Sequence, residues 1–186
     1  MKIQWIEKEI DYDGRQLVPH WIYKNFGLLG NSLVAFRGGC DVKITEMLDL
    51  KDVQENKPIF SKKMLHFIGE FFDTDLTRTI LLQRLLVSHA QQEIVIRAKR
   101  PSLVRGGNDL YDEGAKLSVS IATASPASTL LHFGINIISE GTPIPTKGLE
   151  DYDIDPVLFA RSLLESFRDE VKTVEEARAK VRSVTE

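Results

Sequence analysis

The sequence predicts an α+β fold, a mixed and mainly antiparallel sheet with helices packed on one side, and three observations carry that prediction. Two β-rich runs alternate strictly: Leu117, Val119 and Ile121 in the first, and Leu131, Phe133, Ile135 and Ile137 in the second. The segment between them, residues 123–129 around Ser125-Pro126, has turn composition, which makes the pair an antiparallel hairpin. Farther on, Ala160, Leu163, Leu164, Phe167 and Val171 recur at helical spacing, so a helix buries one stripe against the sheet.

The remaining elements follow in chain order. Residues 3–10 read as a strand ending at the turn Asp11-Tyr12-Asp13-Gly14, residues 20–26 as a short helix stopped by Gly27, and residues 32–36 as a strand. Residues 42–50 add two short strands. Ser61 reads as an N-cap for a helix through residue 72 that buries Met64, Leu65, Ile68 and Phe72. A second helix covers residues 76–91, and residues 93–98 form a strand feeding the turn Arg105-Gly106-Gly107. Asp155 followed by Pro156 is a cap residue ahead of proline at the first helical position. Thr173 and Glu176 have capping-box spacing, which predicts a separate last helix to Arg182.

The hairpin is where chemistry concentrates. If its two apolar faces are buried together, Lys116, Ser118 and Ser120 share the opposite face with His132, Gly134 and Asn136. A polar face that carries a cation is a place to hold an anion. Solubility alone also puts such residues on the solvent side of a half-buried sheet. Gly134 favours a ligand, because a glycine inside a strand marks close approach by another group.

Composition narrows the classes. The 186 residues are 42% hydrophobic with a net charge of −3, which supports a sizeable core and gives no polyanion footprint, so neither nucleic acid nor a membrane is an expected partner. One cysteine, Cys40, cannot form an internal disulfide, and the N-terminus has no signal-peptide core, which together predict a cytoplasmic protein. No low-complexity linker divides the chain, so one domain spanning residues 1–186 is expected, with C-terminal helices over residues 155–183.

Other candidates are weaker. His66 and Glu70 lie four apart on the expected helix, a spacing that suits a metal or a surface pair, but no third ligand accompanies them and no metal site is expected. His20, Trp21 and Tyr23 read as core aromatics or a pocket wall, and His89 as a solvent-facing residue. Cys40 follows a glycine turn and an arginine, so it reads either as a nucleophile of lowered pKa or as a small buried apolar residue.

Several short motifs share an order with a known superfamily. Asn108-Asp109-Leu110-Tyr111 with Lys116-Leu117, and then Gly134-Ile135-Asn136, resemble signatures of the biotin protein ligases. Gly114-Ala115-Lys116 followed by His132-Phe133-Gly134-Ile135-Asn136 is similar to the pattern of lipoate-pathway octanoyltransferases, and Arg37-Gly38-Gly39 sits where that superfamily carries its own Arg-Gly-Gly. The resemblance covers about residues 30–140 and implies the catalytic-domain fold of biotin and lipoate protein ligases. The phrases around His20-Trp21, Phe36-Arg37-Gly38-Gly39-Cys40, Met64-Leu65-His66 and Ser125-Pro126-Ala127-Ser128 also resemble an uncharacterised conserved prokaryotic family.

The superfamily resemblance implies that Lys116 contacts a substrate carboxylate, thioester or acyl-adenylate, with Cys40 or His132 assisting as catalytic residues. It implies a substrate-binding shell of Arg37, Gly38, Gly39, Arg105, Gly106, Gly107, Asn108, Asp109, Ser118 and Asn136, with glycine amides lining an anion pocket. An acyl-carrier or lipoyl-type protein is the expected acceptor and a homodimer the expected assembly, while no cofactor is named. Departures are visible as well. Val119 replaces the ligase glycine, no second glycine cluster follows Gly39, and residues 139–143 lack the octanoyltransferase thiol, which argues against ATP-dependent ligation. A non-catalytic protein that binds a small carboxylate or nucleotide is the alternative.

Overall fold

The computed structural model describes residues 1–99 and 102–184. Among these, a five-stranded sheet runs in the order β1 (Lys2–Trp5), β2 (Ser32–Val42), β3 (Ile59–Phe71), β8 (Thr129–Asn136) and β7 (Ser118–Ala124). Only β1 and β2 pair in parallel; the other neighbours are antiparallel, so the sheet is mixed and mainly antiparallel as expected. A smaller antiparallel sheet comprises β4 (Val104–Gly106), β5 (Asp109–Asp112) and β6 (Ala115–Lys116). Helices α1 (Trp21–Phe26), α2 (Leu50–Gln54), α3 (Leu76–Ala98) and α4 (Pro156–Lys180) complete the architecture.

Both faces of the large sheet are covered. On one, Leu33, Ala35, Leu65, Phe67, Leu131 and Phe133 pack with Leu86, Ala90, Leu163 and Phe167 of α3 and α4. On the other, Val34, Phe36, Met64 and Ile68 are covered by Tyr12, Leu17 and Ile22 of the N-terminal segment and α1. Each such side chain contributes about 1.5–3 kcal/mol on burial. Two-sided burial removes the period-two pattern from the central strands, since every position of β8 is buried.

That burial explains several corrections. Residues 61–72 are not a helix, and residues 61–71 are most of strand β3: Met64, His66, Ile68 and Glu70 face the N-terminal segment, and Leu65, Phe67 and Phe71 face the helices. A fully buried strand and a buried helix read alike from apolar residues alone. Residues 93–98 are not a strand; α3 runs on through them from its cap at Asp75, burying Ile94, and stops where Lys99 turns left-handed. Residues 43–50 make a 3-10 turn and the start of α2 rather than two strands, and the first strand ends at Trp5.

At the C-terminus Asp155 caps α4 by accepting from Val157 N and Leu158 N, each at 2.8 Å, with Pro156 following as expected. No separate helix starts at Thr173. Its hydroxyl donates back to Glu170 O, and with no breaker after Val171 the helix continues to Lys180.

The small sheet is tied down at Asp112. This carboxylate, fully buried, accepts from Ser102 Oγ (2.9 Å), Lys147 Nζ (2.8 Å) and Tyr152 OH (2.8 Å). Ser120 links the two sheets: its hydroxyl donates to Asn108 O and accepts from Gln83 Nε2, both at 2.7 Å.

Candidate functional site

A pocket of about 510 Å³ opens on the face of the large sheet covered by the N-terminal segment, between the ends of β2 and β3, strand β7 and the loop after β8. That volume suits a small organic ligand. Val42, Met47, Ile59, Met64, Val119, Ile121 and Ile144 give it apolar walls, Lys116, Asp109, Asn108, Asn136 and Thr146 contribute polar groups, and Glu46, Asp49, Lys51, Asp52 and Lys57 add charge from the segment around α2.

Lys116 is held from three sides. The β5–β6 turn places Glu113 and Gly114 both at positive φ (52° and 84°), a conformation glycine adopts freely, and it sets Lys116 opposite Tyr111. The loop after β8 then clamps its backbone: Lys116 N donates to Pro145 O (3.0 Å) and Lys147 N to Lys116 O (3.2 Å). Finally Lys116 Nζ bonds Asp109 Oδ2 at 2.8 Å. Burial works against the lysine's charge, but Asp109 outweighs it and holds the ammonium above its ordinary range. Burial pushes Asp109 up despite the facing cation, and its Oδ1 is buried without a hydrogen-bond partner.

Part of the lining is aromatic. The Tyr12 ring stacks on His132 with centroids 3.7 Å apart and planes 10° apart. His132 Nε2 lies 3.1 Å from His66 Nδ1. Both imidazoles are held uncharged: burial pushes His66 down to about 4, and burial together with the neighbouring His66 pushes His132 well below its ordinary value. Gly134 leaves room here, since a Cβ on it would stand 2.9 Å from Met64 Cε and 3.2 Å from His132 Cε1.

The His66 shift has a sign that can be tested. An unfolded histidine titrates near 6.5, so between about pH 6.5 and about 4 the unfolded chain takes up a proton that native His66 refuses. Stability is therefore expected to be complete above that window and to fall on acidification through it, by about 3 kcal/mol from this group. Denaturant midpoints measured across the window should drop for the parent protein and drop less for His66→Phe.

The structure brings Lys116, Cys40, His132, Asn108, Asp109, Ser118 and Asn136 to this pocket. It separates the others. Arg37 reaches the opposite face, with its guanidinium 5.7 Å from the Trp5 ring and 4.0 Å from Glu9. Gly38 and Gly39 form no turn but lie inside β2 at a bulge, where Gly38 lies against the Ile10 carbonyl and the Gly39 amide donates to Asp11 Oδ1 at 2.7 Å, so they offer no anion nest to the pocket. Arg105, Gly106 and Gly107 form an exposed hairpin tip in which Arg105 bonds Gly107 O.

The expected convergence of polar faces also fails in its register. Ser118 pairs with Ile135 and Ser120 with Phe133, while Val119 and Ile121 share the face of Gly134 and His132. Ser118 and Ser120 border the pocket, but the hydroxyl of Ser118 accepts from Leu110 N (2.9 Å) and that of Ser120 binds Asn108 and Gln83. Cys40 is buried, and that burial, with Asp41 nearby, pushes its thiol up to about 12, opposite to the lowering a nucleophile needs. His66 and Glu70 sit on a strand, where Glu70 binds His20 N (2.8 Å) and Ser128 Oγ (2.7 Å), and no metal-type cluster occurs among the described residues. His89 is half-buried against Phe167 rather than solvent-facing.

Sequence reasoning missed Tyr12, Met64 and the loop residues Thr142, Ile144 and Thr146. Tyr12 sits in a segment whose only sequence signal is a turn, and it reaches the site because Tyr12 N and O bond Gly39 O and Asp41 N.

The model of the family described as a domain of unknown function, DUF366, matches residues 1–182. The chain belongs to this family. A relative, an uncharacterized protein of Methanocaldococcus jannaschii, is 38% identical over 184 residues, covering 94% of this chain and 81% of its own length. A solved protein of unknown function from Pyrococcus horikoshi is 39% identical, with a TM-score of 0.90 over 99% of each chain.

The fold reaches beyond the DUF366 family. It is similar to the biotin protein ligase of Aquifex aeolicus solved with biotin and ATP, at 16% identity and a TM-score of 0.60 over 94% of this chain and 72% of the other. It is also similar to a T. acidophilum protein assigned as a lipoate protein ligase and solved with lipoic acid, at 12% identity and a TM-score of 0.54 over 91% and 86% of the chains. The α+β architecture is thus that of the biotin and lipoate ligase catalytic domains. No helix among the described residues is long and apolar enough to cross a membrane.

Proposed function

We propose that the pocket binds a small molecule with a carboxylate or acyl head and an apolar body, and that the chain is an acyl or cofactor transferase related to the biotin and lipoate protein ligases. One observation carries this reading: Lys116 lines a pocket with apolar walls, clamped by its backbone and charged. Its ammonium has three donors, of which Asp109 takes one. The ligands of the neighbouring folds, biotin and lipoic acid, are themselves carboxylic acids carried on aliphatic chains.

In this reading a nucleophilic group of a carrier protein attacks the acyl carbon directly. The carbonyl oxygen gains negative charge as that bond forms, Lys116 stabilises it, the thiolate or nucleotide leaving group departs with the electron pair of the broken acyl bond, and the nucleophile's proton passes to the leaving group or to solvent. Direct transfer requires no thiol of the protein, which agrees with the protonated state of buried Cys40.

A second reading, a non-catalytic carboxylate-binding protein on the same fold, is favoured by that same inert thiol and by the uncharged state of His132. Thermal shifts with biotin, lipoate, octanoate and their adenylates test the pocket, and transfer from acyl thioesters or adenylates to a lipoyl-type acceptor tests the chemistry. Lys116→Ala is expected to abolish ligand stabilisation and to lower any turnover by about 10²–10³-fold while folding persists. Stabilisation of equal size in the variant overturns the assignment of Lys116. Stabilisation without turnover supports the binding protein instead.

A further inference from the structure

Resting on this pocket reading, we infer that the ligand is an amine-bearing acid: Lys116 holds its carboxylate or acyl head, and the carboxylate of Asp52, on the α2 wall of the same pocket, holds an ammonium carried on the same molecule. Asp52 is thereby a specificity-determining residue that selects a zwitterion over a plain acid.

The charge of the lining asks for a cation in the ligand. Three lysines and four carboxylates line the pocket, so a plain anion enters a cavity whose own charge is already negative. Most of these groups are spent within the protein. Lys116 pairs with Asp109 at 2.8 Å, Lys51 and Lys57 both turn to Glu55, which lies outside the lining, and Asp49 caps α2. Glu46 is exposed to solvent. Asp52 is different: it is half-buried, and among the described residues its carboxylate has neither a hydrogen bond nor an ion pair. A charge withdrawn from water is ordinarily paired, and the pairing of this one is left to whatever fills the pocket.

Asp52 is also held in place, as a recognition group must be. Asp49 Oδ1 accepts from Lys51 N (2.9 Å) and from Asp52 N (3.3 Å), which fixes the first turn of α2, and Lys57 N donates to Asp52 O at 3.0 Å. Leu50, Lys51 and Gln54 stay exposed while Asp52 and Val53 turn from solvent, and of these two Asp52 lines the pocket. Its charge reaches the Lys116–Asp109 pair, favouring a proton on both members. One cavity therefore offers an ammonium with donors to spare at Lys116 and a free carboxylate at Asp52, and its apolar walls enclose the rest of the ligand.

Titration of the full chain at neutral pH with octanoic acid, its α-amino and ω-amino derivatives and their homologues of other lengths tests this. At one position the amine is expected to tighten binding about tenfold, the increment of a charge-assisted hydrogen bond. A hydroxyl at that position, which keeps the size and removes the charge, is expected to lose most of the gain. Asp52→Asn is expected to erase the preference while plain acids still bind, and Lys116→Ala to weaken both kinds of acid alike. Plain acids that bind as tightly as every amine-bearing derivative, a hydroxyl that gains as much as the amine, or a preference that survives in Asp52→Asn overturns the inference and leaves the Lys116 pocket standing. Failure of every acid to bind overturns the pocket and this inference together.

Discussion

Replacing Asp112 by alanine is expected to lower stability by about 3–5 kcal/mol, the cost of breaking a buried ion pair from one side. The carboxylate is fully buried and accepts three hydrogen bonds, from Lys147, Tyr152 and Ser102, that join β5 to the loop after β8, to the segment that follows it and to the chain ahead of β4. Without it the ammonium of Lys147 keeps only Glu113 at 3.1 Å, and Tyr152 loses this acceptor. The same loop clamps Lys116, so ligand binding should weaken together with the melting temperature. Burial opposes the charge of Asp112, but Lys147, Tyr152 and Ser102 outweigh it and hold the carboxyl below its ordinary range. A depressed carboxyl stabilises the fold above its unfolded pKa, near 3.9, and that contribution is lost as pH falls through the lower folded value. Urea denaturation of the parent, of Asp112→Ala and of Asp112→Asn checks both statements: the alanine variant at neutral pH reads the first, and the gap between the parent and Asp112→Asn should close as pH falls below 4.

Gly38→Ala is expected to cost about 3 kcal/mol, the upper end for forced overpacking. An added Cβ would stand 1.9 Å from Ile10 O, and a backbone atom cannot swing aside as a side chain can. Relief requires moving the Ile10–Tyr12 backbone, which carries Tyr12 over His132. Gly107→Ala is the contrast. Its φ of 65° is strained for alanine but no atom lies within 4 Å of the added methyl, so a cost of about 1 kcal/mol and unchanged ligand binding are expected. Thermal denaturation of the two variants separates close approach from turn strain. A glycine that serves an anion nest predicts the reverse pattern, with binding lost and stability kept.

How much of this was legible before folding varies from element to element. The β7–β8 hairpin is visible because one of its runs is an edge strand that keeps its alternation, and α4 because one side of its first half faces solvent. Strand β3 is invisible as a strand because the layers on both sides bury it. Its apolar residues then satisfy helical spacing as well as extended spacing. The convergence of Ser118 and Ser120 with His132 was misjudged for a related reason. Opposition across a hairpin depends on where the turn closes, and Ala124 paired with Thr129 sets a register in which Val119 and Ile121 face His132 instead.

For this chain, residue order alone determines the fold class, the hairpin, the capped C-terminal helix and Lys116 as a cation of the candidate pocket, since these rest on local periodicity, turn chemistry and short motifs. Tertiary structure decides which of the other polar residues meet it. It turns Arg37 to the far face, places the Ile10 carbonyl against Gly38, raises the Cys40 thiol by burial, and assembles Tyr12, His66 and His132 from three separate segments. Strand register and the covering of each sheet face are properties of contacts distant in sequence, and local patterns carry no record of them.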